Sequence, residues 1–284
     1  MPNDVTLMSA ATRFVVVHYH IFKNAGSTVE HILEREFPGC FARVHGPSPE
    51  STLDAEVLSS FLAENPGVRA VTSHHLRYPL PVIRNTVVFD CCFIRHPLDR
   101  LDSVYQHLRR EDSNDELSWS ARRQTPVGFM RLLLDRYPEQ VSNVQVTQIG
   151  NRGAFMRPAS EADLDRAVTS VRNMALPGVV EMFHESMVAG EYYMRPAFPS
   201  LRLSAVPVNV GRRMVSNVAE REQRLIHLWG QDLYDYLARV NAMDLELFSQ
   251  TVKEIRQRLS FVPGVPARMA EFASRCEQRI AAAS

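Results

Sequence analysis

The chain has 284 residues, 45% of them hydrophobic, which suffices for one large core in a single α/β domain spanning 1–284. Lys and Arg number 32, as do Asp and Glu, so the overall field gives no basis for attracting nucleic acid or a membrane surface. No window approaches the roughly 20 apolar residues of a membrane span, and the first 12 residues lack a basic stretch followed by an apolar one. A soluble, cytoplasmic protein is expected.

In chain order, the apolar run Phe14-Val15-Val16-Val17 predicts a strand over 13–20. A helix over 26–37 follows, with Val29, Ile32, Leu33 and Phe37 on one face. Gly46-Pro47-Ser48-Pro49 is a loop leading into a short helix at 54–64, and strands are expected at 68–74 and 86–94. Pro97 can open a helix that ends near Arg110. Residues 111–125 carry neither periodicity and read as a long polar loop or lid. Helices are expected at 126–137 and 160–175, and Pro177-Gly178 precedes a last strand near 179–183. Leu225, Leu228, Trp229, Leu233, Tyr236, Leu237 and Val240 recur at helical spacing and open a helical C-terminal region.

The segment His20-Ile21-Phe22-Lys23-Asn24-Ala25-Gly26-Ser27-Thr28 lies between the first strand and the first helix. A strand, a short loop of small residues with one lysine, and a helix together make a phosphate cradle. The backbone can approach the anion, the helix N-terminus aims N–H groups at it, and the lysine adds a point charge. The lysine precedes the glycine, so this is not a Walker A loop. A second segment, Arg95-His96-Pro97-Leu98-Asp99-Arg100-Leu101-Asp102-Ser103-Val104-Tyr105, follows the fourth strand. There Arg95 can pair with a phosphate while the Ser103 hydroxyl, two helical turns on, donates to another of its oxygens. Arg100 and Tyr105 are expected to anchor the helix to neighbouring loops.

The first segment resembles the 5′-phosphosulfate loop of sulfotransferases, closest to the carbohydrate families that include heparan sulfate 2-O- and 6-O-sulfotransferases, whose form is His-Ile-Pro-Lys-Thr-Gly-Gly-Thr-Ser. The second resembles their 3′-phosphate motif, Arg-Asp-Pro-x-x-Arg-x-x-Ser-x-Tyr, with His96 in place of the aspartate. Ser73-His74-His75-Leu76 is similar to the strand end that carries the catalytic base of those enzymes. Asn143-Val144-Gln145, the run from Gly178 to Met187 and the run from Gln231 to Tyr236 are similar to three further family segments, in the family's order. The resemblance implies a P-loop-like parallel sheet flanked by helices. It also implies transfer of the sulfuryl group of 3′-phosphoadenosine 5′-phosphosulfate to an acceptor hydroxyl, and it favours a saccharide over the other open acceptors, a tyrosine peptide, a lipid or a small molecule.

On that resemblance Lys23, Asn24, Ala25, Gly26, Ser27 and Thr28 hold the 5′ side of the donor, and Arg95 and Ser103 hold the 3′-phosphate. Arg212 and Arg213 close over the donor as a basic C-terminal loop, and Lys23 stabilises the leaving oxygen. His75 is the expected general base, with His74 as the alternative because neighbouring strand residues face opposite ways. Trp119 with Arg122 and Arg123 could stack on a sugar and pair with its acidic groups. No metal is expected, since no carboxylate completes a set with His18, His20, His74, His75 and His96. Asp90 mimics a Walker B aspartate, which would favour a nucleotide kinase, but the apolar run continues past it and a hydrogen-bonded core carboxylate is the expectation. Departures at Phe22, His96, Thr147 and Val180 also admit a catalytically silent nucleotide-binding module. The four cysteines include no C-x-x-C pair and fit buried thiols in a reducing compartment.

Overall fold

The structure is a computed structural model that describes residues 12–48, 50–151, 157–206 and 218–283. Its elements in chain order begin β1 (Arg13–Tyr19), α1 (Gly26–Glu36), β2 (Phe41–Arg43), α2 (Ala55–Glu64), β3 (Ala70–Ser73), β4 (Thr86–Ile94) and α3 (Pro97–Arg110). Next come α4 (Glu116–Arg123), α5 (Pro126–Arg136), α6 (Val144–Gly150), α7 (Glu161–Asn173), β5 (Leu176–Val179) and α8 (Phe183–Met194). The chain ends in α9 (Val218–Trp229), α10 (Gln231–Val240), α11 (Ala242–Ser260) and α12 (Val265–Ala283). The expected α/β architecture is present: a parallel five-stranded sheet in the order β2-β3-β1-β4-β5, flanked by helices, with a helical C-terminal region.

β1 lies in the middle of the sheet, so its alternate residues feed two cores. Val16 joins Val29, Ile32, Phe93 and Met187 on the face covered by α1 and α8. Val15 and Val17 join Leu58, Leu62, Val146 and Leu247 on the face covered by α2, α6 and α11. A third cluster, built on Leu101, Phe129 and Leu225, packs α3, α5 and α9 beside the sheet. Because every strand is parallel, the segments that leave the carboxyl ends of β1, β3, β4 and β5 emerge at one edge, where open α/β sheets bind ligands. No helix is long and apolar enough to cross a membrane among the described residues.

Three expectations are corrected. Residues 111–125 are not one loop: Asp115 accepts the Ser118 N–H at 2.9 Å and opens α4, whose Leu117 and Ala121 meet the third cluster. Two apolar residues on so short a helix leave almost no periodic signal. The last strand starts earlier, with Pro177 and Gly178 inside it. Pro177 costs little there because β5 is an edge strand, and a side chain at Gly178 would meet the Phe93 ring at 2.4 Å. The helical pattern over 225–240 breaks into α9 and α10 at Gly230, whose φ of 80° suits glycine.

Two expectations hold in detail. Asp90 sits inside β4, accepting Tyr78 Oη at 2.9 Å and the Ala175 N–H at 2.8 Å. Arg100 donates to the Gln140 carbonyl and Tyr105 to that of Gln124, both at 2.9 Å, tying α3 to neighbouring segments. The cysteines are free thiols, with Cys91, Cys92 and Cys276 buried.

Candidate active site

A cavity of about 1160 Å³ opens at the carboxyl edge of the sheet, bounded by the β1–α1 loop, α3, the residues after β5, α9 and α12. That exceeds the roughly 300–1,000 Å³ of a pocket for one drug-sized ligand, leaving room for two reactants. Lys23, Ala25, Gly26, Ser27, Thr28, Arg95 and Ser103 all line it, so the two expected phosphate segments meet on one surface. Arg212 and Arg213 lie outside the described residues.

The loop is held in an unusual backbone shape. Lys23 and Ala25 have φ of 66° and 60°, the left-handed region that non-glycine residues enter at a cost and that clusters at ligand sites. Asn24 points inward: its Nδ2 donates to the Phe93 carbonyl at 2.8 Å and to Gln145 Oε1 at 2.7 Å. Gln145 Oε1 also accepts the Arg95 N–H, and its Nε2 donates to the Arg95 carbonyl, each at 2.9 Å. Gln145 is fixed in turn by Asp244, a buried carboxylate on α11 that accepts the N–H groups of Gln145 at 3.0 Å and Val146 at 2.8 Å. Asn143 completes the join, its Oδ1 accepting the N–H groups of Met243 and Asp244 at 3.1 Å. A single buried network therefore sets the loop against Arg95.

Arg95 donates from Nη1 to the Lys23 carbonyl at 3.0 Å, and its Nε is buried with no partner. Asn24 Oδ1 and Glu181 Oε2 are likewise buried and unpartnered. Burial lowers the Lys23 ammonium to about 8, helped by the nearby Arg95 and Arg110 charges. Such a lysine gains most from an arriving anion. Phe22, which stands where the resembling family has proline, is exposed, with Lys23 Nζ 5.5 Å above its ring and His107 5.4 Å away. His96 lies off the cavity, its N–H donating to Glu181 Oε1 at 3.1 Å. On the rim, Asp99 pairs with Arg221 and Arg224, and Asp102 with Arg224.

The histidines sort themselves by the turn after β3. Ser73 Oγ accepts the N–H groups of His75 and Leu76 at 2.9 and 3.2 Å, which bends the chain there. His75 turns away from the cavity and its Nδ1 accepts the Gly46 N–H at 2.7 Å. His74 lines the cavity, with Nδ1 donating to the His20 carbonyl at 3.1 Å, and burial beside His20 and His45 pushes it down to about 4. Of the two expected base candidates, only His74 is on the cavity surface. His20 lines it as well, 3.7 Å from His74 between ring centroids. Trp119 is exposed outside the cavity, stacked by Arg123 at 4.5 Å, while Arg122 caps the carbonyls of Glu111 and Ser113. Among the described residues no group of three or more His, Cys, Asp or Glu side chains could hold a metal ion.

Gln145, Asp244 and Glu181 were not among the expected site residues. The Asn-x-Gln spacing at 143–145 was a signal for the first, but nothing local marks Asp244 as its partner. No family model matches this chain. It is similar to an uncharacterized protein from Archaeoglobus fulgidus, 29% identical over 252 residues that span 84% of this chain and 96% of that protein.

Proposed function

We propose that this chain is a sulfotransferase that moves the sulfuryl group of 3′-phosphoadenosine 5′-phosphosulfate to an acceptor hydroxyl, on a saccharide as the family resemblance implies. The observation that carries the reading is Arg95. Its Nη1 is tied to the Lys23 carbonyl, its Nε is buried without a partner, and the residue lines the same cavity as Ser103 and the 23–28 loop. A ligand with two phosphate-like groups would satisfy both segments at once.

In this reading the loop from Lys23 to Thr28 holds the 5′-phosphosulfate, and Arg95 with Ser103 holds the 3′-phosphate. The bound donor supplies the sulfuryl group. Lys23 stabilises the charge that grows on the leaving oxygen, an interaction that counts most in the transition state. The acceptor proton goes to a cavity imidazole, His74 or His20. The kinase alternative loses its magnesium ligand, because Asp90 is committed to Tyr78 and Ala175 within the sheet.

The test is calorimetric titration with adenosine 3′,5′-bisphosphate, adenosine 5′-monophosphate, ATP and GTP, with and without magnesium. Metal-independent bisphosphate binding well ahead of ATP is expected. Arg95→Ala should weaken the bisphosphate by about 10- to 100-fold, the value of a charged hydrogen-bonded contact, and the monophosphate far less. Equal affinities, strict magnesium dependence, or equal weakening of both ligands by Arg95→Ala overturns the proposal.

A further inference from the structure

We infer that His20, held by Glu30, is the general base of this cavity, with Glu30 as its positioning residue. The inference rests on the sulfuryl-transfer reading and deepens it.

The His20 side chain is wedged into the cradle. A Cβ on Gly26 would lie 1.8 Å from His20 Cδ2 and 1.9 Å from Nε2, so the Cδ2–Nε2 edge of the ring rests on the first residue of α1. Nδ1, on the opposite edge, is 3.7 Å from Glu30 Oε2, four residues further along the same helix. That spacing is an ion-pair contact, and catalytic contacts of this kind shorten when reactants bind. Glu30 is in turn paired with Arg43 of β2. Its contacts with His20 and Arg43 hold it down to about 2, so it is a carboxylate at any working pH.

This arrangement orients the imidazole. The carboxylate favours the tautomer with its proton on Nδ1, which leaves the lone pair on Nε2, the nitrogen that lies against Gly26 at the first turn of α1. The N-terminus of α1 disfavours a positive ring, and Glu30 supplies the opposing charge. The other titratable groups around the ring are His18 on β1 and His74 after β3, with Lys23 on the same cavity. His18 is fully buried, its Nδ1 2.9 Å from Thr72 Oγ1, and His74 spends Nδ1 on a backbone carbonyl. Among the described residues neither is paired with a carboxylate of its own. In the step, the acceptor oxygen forms its bond to sulfur as the bond from sulfur to the 5′-phosphate oxygen breaks, the electron pair leaving with adenosine 3′,5′-bisphosphate. The acceptor proton goes to His20 Nε2 and then to solvent.

The experiment measures release of sulfate from 3′-phosphoadenosine 5′-phosphosulfate by the full chain, with water standing in for the acceptor, beside calorimetric binding of adenosine 3′,5′-bisphosphate. His20→Gln should slow turnover by about 10²–10⁴-fold, the effect of removing a general base, and His74→Gln should slow it at least about tenfold less. Glu30→Gln should slow turnover by about tenfold while bisphosphate affinity stays within about threefold, and Glu30→Asp should restore part of the rate. If His74→Gln is the more damaging change, or Glu30→Gln leaves turnover unaltered, the inference is overturned while the donor reading stands. If wild-type protein binds no bisphosphate, both fall together.

Discussion

The two walls of the cavity are built on different principles. On the sheet side, three polar side chains are locked by hydrogen bonds to distant segments: Asn24 to Phe93 and Gln145, Arg95 to Lys23, and Gln145 to Asp244. On the opposite side, α12 offers Met269, Ala273, Cys276 and Ile280 with one carboxylate, Glu277, while the Arg221 and Arg224 charges of α9 meet Asp99 and Asp102. A rigid wall of fixed donors can discriminate a charge pattern, because a misplaced phosphate leaves buried groups unpaired. A wall of aliphatic side chains contributes contact area and shape. Selectivity for an anion should therefore reside almost wholly on the sheet side.

The most damaging way to challenge this contrast is at Asp244, remote from the cavity surface. Asp244→Ala removes the acceptor of the Gln145 and Val146 N–H groups and of Gln145 Nε2. Leaving two buried N–H groups unpaired, and Gln145 Nε2 with the Arg95 carbonyl alone, should cost about 3–5 kcal/mol, read by urea unfolding. A loss under about 1 kcal/mol would mean that the network does not brace the wall.

Gly26→Ala comes next. Its Cβ would drive into the His20 ring, which is confined by His18 and His74, so bisphosphate affinity should fall by at least about tenfold through overpacking of the cradle. Near-native binding would show that the ring can move aside.

The third test uses pH. Lys23 lies below its ordinary range, at about 8, chiefly because it is buried. It is charged below that pH and neutral above it, so an anion that requires the ammonium binds best on the acid side. Bisphosphate affinity should fall about tenfold between pH 7 and pH 9, and Lys23→Ala should flatten the profile at the weaker level. A profile equally steep in Lys23→Ala would assign the titration to another group.

The mildest change is expected on the other wall. Met269→Ala should alter bisphosphate affinity by no more than about twofold, because it removes apolar contact and no charge. A large loss there would erase the distinction between the walls.

β1, β3, β4, the β1–α1 loop and the start of α3 were legible because their signals are local. An apolar run, a small-residue loop with a lysine, and Pro97 after Arg95 each act through neighbours in sequence. The short α4 was not legible, since a capped helix with two core residues lacks a measurable period. The split between α9 and α10 turned on one glycine whose positive φ no pattern of apolar residues reveals.

The site divides in the same way. The sequence by itself determined that the 23–28 loop and Arg95 come together, since both lie at strand ends that a parallel sheet must bring to one edge. Tertiary structure alone decided which histidine faces the cavity. His74 and His75 differ only by the turn that Ser73 imposes, and His20 meets Glu30 and Gly26 only once α1 packs beside β1. It likewise decided that Asp244 braces Gln145 across 99 positions of chain. Hydrogen bonds between remote segments depend on how helices dock on the sheet, and docking is a property of complementary surfaces that no single stretch of sequence contains.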